Sequence, residues 1–278
     1  MGKLSVGVGL LAAVVMGIPA DAAEIDAMVA QSSCLIDANQ IVKLSSSMQG
    51  TLSKILVKRG DHVQAGQVVA ELESEVEQAM YEAADLRAKS DAVIRARSAE
   101  KVNAARKLDR QRQLMAKSVI SPQILEDAET AAEVAKFAEE QAHLDQQLAA
   151  SETKRLHATI ERRTVRSPVD GVVTKVDLHE GEFADPPVTL ATIAEIRPLL
   201  AEIYLPVEVY PHVQIGMNFE IRPQDPIGGT YVASILTKDP QIDSASGTFR
   251  VTLKLANTDE AIPAGIRCTV RLIKESRP

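Results

Sequence analysis

Hydrophobic and polar residues follow two different periods along this chain. Between Glu73 and Glu161, small and apolar residues recur at steps of three and four positions, which is the spacing of one face of an α-helix. On both sides of this stretch, short runs alternate apolar and polar residues at every second position, which is typical of β-strands. The pattern predicts an α+β fold in which a long helical segment interrupts β-structure.

The helical segment predicts two arms that pack against each other as a coiled-coil hairpin. It contains no glycine and a single proline, Pro122, near its middle. Two helices of about 40 residues would each be ~60 Å long at 1.5 Å per residue. The residues expected in the seam are Val76, Ala79, Ala83, Leu86, Val93, Ala105, Leu108 and Met115 in the first arm, and Leu125, Ala128, Ala132, Ala135, Ala138, Leu144, Leu148 and Leu156 in the second.

The turn between the arms predicts a binding tip. Ser121 is placed as an N-cap, with Pro122 in the first helical position, where its missing N–H is not needed. Apolar residues at the exposed end of a rod suggest a partner. Alternatively, the charge at this end is only solvated and the leucine is the last layer of the seam. The candidate binding residues are Arg110, Leu114, Val119, Ile120 and Ser121.

The two β-segments that flank the helical arms share one sequence pattern. A glycine, alternating apolar positions and a Gly–acidic turn run from Gly50 to Asp61 and again from Gly171 to Glu182. This repetition indicates internal duplication. Further along, short runs separated by turns predict a small β-barrel. Its expected strands lie at 200–205, 218–222, 230–237, 248–255 and 266–273.

Together these features resemble the periplasmic adaptor proteins, or membrane fusion proteins, of the HlyD and RND-associated type. The duplicated pattern resembles a biotinyl/lipoyl-like β-sandwich split into halves, and residues 242–265 resemble the β-barrel of the same family. The arrangement Arg-x3-Leu-x6-Ser, formed by Arg110, Leu114 and Ser121, resembles the motif with which adaptors of tripartite efflux pumps engage a TolC-like outer-membrane channel.

The resemblance implies a non-enzymatic adaptor for small-molecule efflux that works as a ring of copies. It would link a TolC-like channel to an inner-membrane transporter, of RND type or, as the alternative, of the ATP-driven ABC type. Adaptors of large proton-driven pumps usually continue into a membrane-proximal domain, whereas this sequence ends at Pro278. The expected domains are a signal peptide (1–22), an N-terminal segment with a possible barrel strand (23–40), a lipoyl-like domain (41–73 and 164–196), a helical hairpin (74–163) and a β-barrel (197–278).

The N-terminus is typical of an export signal. Lys3 precedes an apolar stretch from Leu4 to Ile18, and a small-residue site follows, so cleavage is expected near Ala22. The mature chain would then lie in the periplasm; an uncleaved anchor is the alternative. In that oxidising compartment, Cys34 and Cys268 either form a disulfide or each remain a small buried side chain.

Composition and motifs argue against other functions. The net charge is −7 and there is no basic cluster with interleaved aromatic residues, which argues against nucleic acid as a partner. The five histidines are scattered and no catalytic or phosphate-binding motif occurs, so we expect no catalytic site, metal or cofactor. A carrier-type enzyme subunit would need a modifiable lysine turn, which the lipoyl-like pattern lacks. A purely structural spacer is the remaining alternative.

Overall fold

A computed structural model describes residues 20–273 of the protein, with side chains from residue 24 onward. Most of the predicted export signal lies outside these residues. The expected cleavage position near Ala22 falls in the first turn of helix α1 (Ala20–Ala30) and remains a prediction. Between residues 20 and 273, no helix is both long and apolar enough to cross a bilayer.

The first β-module is a sandwich built from two separated parts of the chain. One sheet has four strands in the order β5–β4–β2–β7, and the facing strands follow the order β1–β8–β6–β3. The core between them takes residues from both parts, including Leu52 and Val69 from the first and Val173 and Ile193 from the second. The short strands are β2 (Gly50–Ile55), β3 (His62–Val63), β4 (Val68–Leu72), β5 (Thr164–Arg166), β6 (Gly171–Val176) and β7 (Phe183–Ala184).

The two halves of this sandwich repeat the same local structure. Ser46 and Ser167 are both buried, and the hydroxyl of each donates to the carbonyl two residues ahead and accepts the N–H of that residue. In each half a glycine, Gly50 or Gly171, then begins a strand. The duplication predicted from the sequence is therefore present in the backbone and in its buried polar contacts.

The second β-module is a closed ring of six strands. The pairing order is β1–β12–β9–β10–β11–β8, and β8 pairs again with β1. Phe219 and Phe249 are fully buried inside, and Val29 of α1 packs on the same core. The strands are β1 (Ser33–Ser45), β8 (Thr189–Pro206), β9 (Asn218–Pro223), β10 (Tyr231–Asp243), β11 (Thr248–Leu255) and β12 (Ile266–Leu272).

Two long strands run through both modules. β1 and β8 pair from Ser33↔Tyr204 to Ser45↔Thr189, with a register shift between Ala38 and Gln40. The sequence predicted a barrel strand that begins at residue 200, which was wrong because β8 begins at Thr189 and continues through that position. Pairing with β1 pauses at residues 196–198, around Pro198, and resumes at Leu199, where buried positions also return.

The inserted segment forms three helices, α2 (Glu75–Lys89), α3 (Ala92–Ala116) and α4 (Pro122–Glu161). α2 and α3 run antiparallel to α4, as contacts at successive levels show. The Tyr81 and His157 rings lie 5.8 Å apart near the base, and Arg112 pairs with Glu129 at 3.2 Å further out. The prediction of one continuous helix in the first arm was wrong, because the chain leaves the helix at Ser90.

The break in the first arm has a local cause. Ser90 has extended backbone angles and Asp91 is the N-cap of α3, and both residue types favour helix caps over helix interiors. Gln146 of α4 donates its side-chain amide to the Ser90 carbonyl at 3.3 Å, and Arg95 pairs with Asp91 at 3.2 Å. The Ser-Asp pair was the sequence signal for this interruption.

The seam between the arms is more polar than the sequence predicted. Lys101 pairs with Glu139 across it, and Gln111 is partly covered in it. In α4 the covered positions include a three–four series from Leu125 to Ile160, which contains Gln146 and Thr153. Several predicted seam residues face solvent instead. They are Val76, Ala79, Ala83, Leu86, Val93, Ala105, Leu144 and Leu148.

The base of the hairpin is fixed to the sandwich by Arg163. Its guanidinium pairs with Glu77 of α2 and donates to the Gln49 carbonyl at 3.3 Å. Both side chains of the ion pair are largely covered, at 17% and 19% exposure. The start of α2, the end of α4 and the turn before β2 therefore meet at one residue.

Candidate functional site: the hairpin tip and outer face

The far end of the hairpin closes with a defined helix stop. The Val119 N–H donates to the Leu114 carbonyl at 3.0 Å, and the Ser118 N–H donates to the Met115 carbonyl at 2.8 Å. These are the two hydrogen bonds of a Schellman motif. Ser118 occupies its left-handed position with φ +56°, where glycine is the usual residue. The turn is therefore rigid enough to present side chains in fixed directions.

The structure places four of the five predicted tip residues on the surface. Val119 is 65% exposed and Leu114 is 37% exposed, and Arg110 and Ser121 are also exposed. Met115, rather than Leu114, is the last partly covered position of the α3 seam. Leu114 therefore lies outside the seam, where packing within the hairpin does not account for it.

Ile120 has a different environment from the other tip residues. It is half-buried, as is Leu125, and these residues occupy the N′ and N4 positions of α4. Apolar residues at those two positions form a hydrophobic staple that fixes how the chain enters a helix. Ile120 thus fits a structural role at the turn better than a role in binding.

Ser121 is the N-cap of α4, with Pro122 following it in the first turn, as predicted. Its side chain makes no capping hydrogen bond. The hydroxyl is thus available at the surface beside Val119. Ile124, in the first turn of α4, is 44% exposed and adds apolar area that sequence reasoning missed. We call Arg110, Leu114, Val119, Ser121 and Ile124 the tip surface.

A second exposed apolar surface runs along the outside of α4. Val134, Phe137, Leu144 and Leu148 are 53–67% exposed. They are separated by three, seven and four residues, so at 100° per residue they share one face, on the side of α4 away from the α3 seam. We call these four residues the α4 stripe. The three–four period was visible in the sequence, but it assigned Leu144 and Leu148 to the wrong face.

The two long helices carry opposite charge. α3 contains seven Lys and Arg residues and two Asp and Glu residues. α4 contains three Lys and Arg residues and nine Asp and Glu residues. Two ion pairs join them, Lys101–Glu139 and Arg112–Glu129. Three further cations of α3 make no ion pair within residues 20–273: Arg106, Lys107 and Arg110.

Cys34 and Cys268 form a disulfide in the structure, with their Cα atoms 4.9 Å apart. They are Cα partners on β1 and β12, where only three positions pair. Both side chains are buried, at 6% and 8% exposure. The bond therefore joins the ring of strands where its hydrogen-bonded ladder is shortest.

Over the described part of the chain, no group of three or more His, Cys, Asp or Glu side chains is arranged to hold a metal ion. His62 pairs with Glu260 at 3.5 Å and His179 with Glu182 at 3.8 Å.

Comparison with known proteins matches this architecture. The family model of the CzcB-like, barrel-sandwich hybrid domain matches residues 40–195. The multidrug resistance protein MdtA of Cronobacter turicensis is 27% identical over 236 residues, which cover 82% of this chain and 54% of MdtA. The cation efflux system protein CusB of Escherichia coli K12 is 27% identical over 131 residues, which cover 46% of this chain and 32% of CusB.

A crystal structure of MacA from Actinobacillus actinomycetemcomitans has the same fold. It superimposes with a TM-score of 0.73 at 18% identity, over 87% of this chain and 78% of that chain. This chain spans about half the length of the curated relatives that it matches over most of its residues, 50% and 54%. The family model covers residues 40–195 of the 278, more than half of the chain. The protein therefore belongs to the CzcB-like barrel-sandwich hybrid family, the membrane fusion proteins.

Proposed function

We propose that this protein is a periplasmic adaptor of an efflux system, and that it links an inner-membrane transporter to an outer-membrane channel. One observation carries the proposal: a hairpin grows out of a split sandwich and ends in an exposed apolar and cationic tip surface. α4 has 40 residues, so that surface lies about 60 Å from the sandwich. Two relatives support this reading by name, one as a multidrug resistance protein and one as a cation efflux protein.

The tip surface is proposed to dock onto the helices of a TolC-like channel. Leu114, Val119 and Ile124 supply apolar area, which gains free energy when a partner removes it from water. Arg110 supplies an unpaired charge, and the Ser121 hydroxyl is free to exchange hydrogen bonds with a partner. A small apolar cluster with one arginine is typical of the residues that dominate binding energy in protein interfaces.

Export measurements test the docking directly. Leu114→Asp or Arg110→Asp is expected to abolish export by a strain that depends on this protein, while the helix content stays unchanged because both side chains are exposed. Leu86→Asp is the matched control, since Leu86 is 72% exposed on the same hairpin but near its base. Full export by the tip variants, or equal loss in the Leu86 variant, would rule out tip docking.

We assign the sandwich and the barrel to the transporter, of RND type first and of ABC type as the alternative. Co-purification from crosslinked envelopes distinguishes the two, because each predicts a different inner-membrane protein attached to the barrel. Capture of neither type by crosslinkers placed on the barrel would contradict this assignment. Mass measurement of the purified protein, with a lipoyl or biotinyl adduct, would instead favour a carrier-type subunit.

We further propose that copies assemble side by side into a ring. The α4 stripe supplies apolar contact area, and the acidic α4 of one copy faces the basic α3 of the next. Such a contact uses two different surfaces, and repeated contacts of that kind close into a ring when the rotation allows it. The excess of positive charge on α3 and of negative charge on α4 favours this pairing over α3 with α3 or α4 with α4.

Light scattering after size-exclusion chromatography tests the ring. The native chain is expected to have a mass of several copies, and a Phe137→Asp, Leu144→Asp double variant to have the mass of one. Gln147→Asp, exposed on α4 but off the stripe, should leave the mass unchanged. Raised salt should weaken the assembly, because screening reduces exposed charge attraction. A monomeric native chain at high concentration would contradict the proposal.

Export to the periplasm is part of the same proposal. Sequencing the N-terminus of the protein recovered from the periplasm should show a chain that begins just after Ala22. Recovery of the protein only with Met1 at its start, in the membrane fraction, would instead indicate an uncleaved anchor.

A further inference from the structure

The sandwich and the barrel share a two-stranded ribbon made by β1 and β8. The ladder shifts register between Ala38 and Gln40, where β1 passes from one module to the other. Asn39 and Gln40 both donate their side-chain amides to Glu195, at 2.8 and 2.9 Å. Because a register shift disrupts the ladder locally, this point is where the modules can bend relative to each other.

The loop between β11 and β12 packs against β8 where that strand passes from the sandwich to the barrel. Asn257 is 3% exposed and donates its side-chain amide to the carbonyls of Ile196 and Ile262, at 3.1 and 3.0 Å. Its Oδ1 accepts the Ile262 N–H at 3.1 Å. Displacing a buried amide from its partners leaves polar groups unsatisfied, which is costly. The loop is therefore held in a fixed position against β8.

Glu260 of this loop contacts both modules. Its Oε1 lies 3.0 Å from Nε of Arg197 on β8, and its Oε2 lies 3.5 Å from Nδ1 of His62 on β3. Glu260 has φ +55° and donates its N–H to the Asn257 carbonyl at 3.2 Å. The pair with His62 thus links the barrel loop to the sandwich by side chains, independently of the shared ribbon.

We propose that His62, Glu260 and Arg197 form a latch that holds the sandwich and the barrel at one angle and tightens in mild acid. Histidine is the side chain that ordinarily changes charge between about pH 5 and 8. When His62 is protonated it attracts Glu260, and when it is neutral that attraction is lost. Arg197 stays charged at every pH and keeps the Glu260 carboxylate in place. Acid therefore adds a contact between the modules, and alkali removes it.

Other charged groups near His62 leave this direction unchanged. On its own turn, Asp61 is engaged, since its Oδ2 accepts the Lys58 N–H at 2.8 Å, and Arg59 is exposed. β6, the strand that pairs with β3, places the uncharged Val172 opposite His62. The barrel loop contributes the Glu260 carboxylate, which attracts a protonated imidazole and contacts His62 and Arg197 through separate oxygens.

The size of the effect follows from exposure. The His62 side chain is 59% exposed and that of Glu260 is 22% exposed, so water screens the pair. Exposed ion pairs of this kind change a two-state population by a factor of about two to five. The latch thus adjusts the spread of angles between the modules and does not lock them.

Pulsed electron spin resonance tests the latch on the full chain. Spin labels carried by unnatural amino acids at Lys54 and Lys254, exposed in the sandwich and the barrel, leave the disulfide intact. Between about pH 8 and about pH 5.5, the distance distribution should narrow, with a two- to five-fold rise in the population of its main peak. His62→Gln should abolish the pH dependence, and Glu260→Gln should keep the distribution broad throughout.

A matched control comes from the second histidine–glutamate pair. His179 and Glu182 lie in one turn of the sandwich and join no second module. His179→Gln should therefore keep the full pH dependence, and circular dichroism should show all variants folded. A native distribution that does not change with pH, or one that still narrows in the His62→Gln variant, would overturn the latch.

Discussion

Removing the disulfide between Cys34 and Cys268 should destabilise the barrel strongly. The bond joins residues 234 positions apart, and a chain-entropy estimate for a loop of that size gives about 5 kcal/mol. Only three positions pair between β1 and β12, so few hydrogen bonds remain at that seam when the bond is lost. The barrel should therefore open at this seam first.

Denaturant unfolding of four proteins tests this reasoning: the native chain, Cys34→Ala, Cys268→Ala and the double variant. Either single substitution already removes the whole bond, so all three variants should lose similar stability and the effects should not add. Hydrogen exchange should rise mainly in β12 and in the first half of β1. Small losses that add between the two sites would refute the reasoning, because they would show two independent buried side chains. Equal stability of the reduced and oxidised native chain would refute it as well.

Three further predictions concern the sandwich and the hairpin. Gly171→Ala should cost about 1–3 kcal/mol in denaturant unfolding, since its Cβ would lie 2.4 Å from the Ala194 carbonyl oxygen, which is fixed backbone. At Gly50 a Cβ would meet side-chain atoms instead, Nη1 of Arg163 at 2.6 Å and Cδ2 of Leu72 at 3.2 Å, so Gly50→Ala should cost less; equal losses would contradict this contrast. Hydrogen bonds from Lys101 and then Ser98 hold the pKa of the Glu139 carboxyl below its ordinary 4.5. The ionised carboxylate therefore stabilises the folded hairpin fully above pH 4.5, and this contribution is lost as the pH falls below that value. Thermal melting of the helices, followed by circular dichroism, should show a lower stability in acid. The Lys101→Met variant should lose less stability in acid than the native chain; an equal loss would contradict the role of Lys101. Ser118→Gly should stabilise the hairpin by up to about 1 kcal/mol, because glycine accepts a positive φ without steric cost; a loss of stability in denaturant would contradict the strain at this turn.

The sandwich was the most predictable part of the fold from sequence. Its two halves carry the same run of glycine, alternating apolar residues and a second glycine, and that run sets both the turn positions and the buried face. β11 (Thr248–Leu255) was also predicted with its observed bounds, because strict alternation continues along its whole length. In these elements the residues that alternate as apolar in the sequence are also the ones that are buried in the fold.

The sequence predicted that a hairpin of two antiparallel arms exists, but it did not predict which residues pack between the arms. Apolar residues were assumed to face the other arm, yet Leu144 and Leu148 face outward while Gln146 is covered. The three–four period of the sequence does not distinguish an apolar face that packs on the other arm from one that lies on the surface. In the first arm the predicted face was already out of phase before the break at Ser90, since Val76 and Leu86 face solvent as Val93 does.

Contacts between distant residues left little signal in the sequence. Helix α1 has only weak amphipathic patterning, and its position depends on burial of Val29 in the barrel core. Glu260 and His62 are 198 residues apart, and neither residue type is unusual in its local context. At the tip, the exposed positions of Arg110 and Leu114 followed from spacing, whereas Ile120 and Ile124 required the geometry of the turn.

Photo-crosslinking in living cells tests the central claim most directly. A photoreactive residue at Val119 samples the tip surface, and one at Leu148 samples the α4 stripe on the same helical hairpin. The adaptor function predicts that Val119 crosslinks to an outer-membrane channel protein, while Leu148 crosslinks to a second copy of this chain. Absence of any channel adduct from Val119, in cells where Leu148 gives its adduct and export is active, would contradict the account.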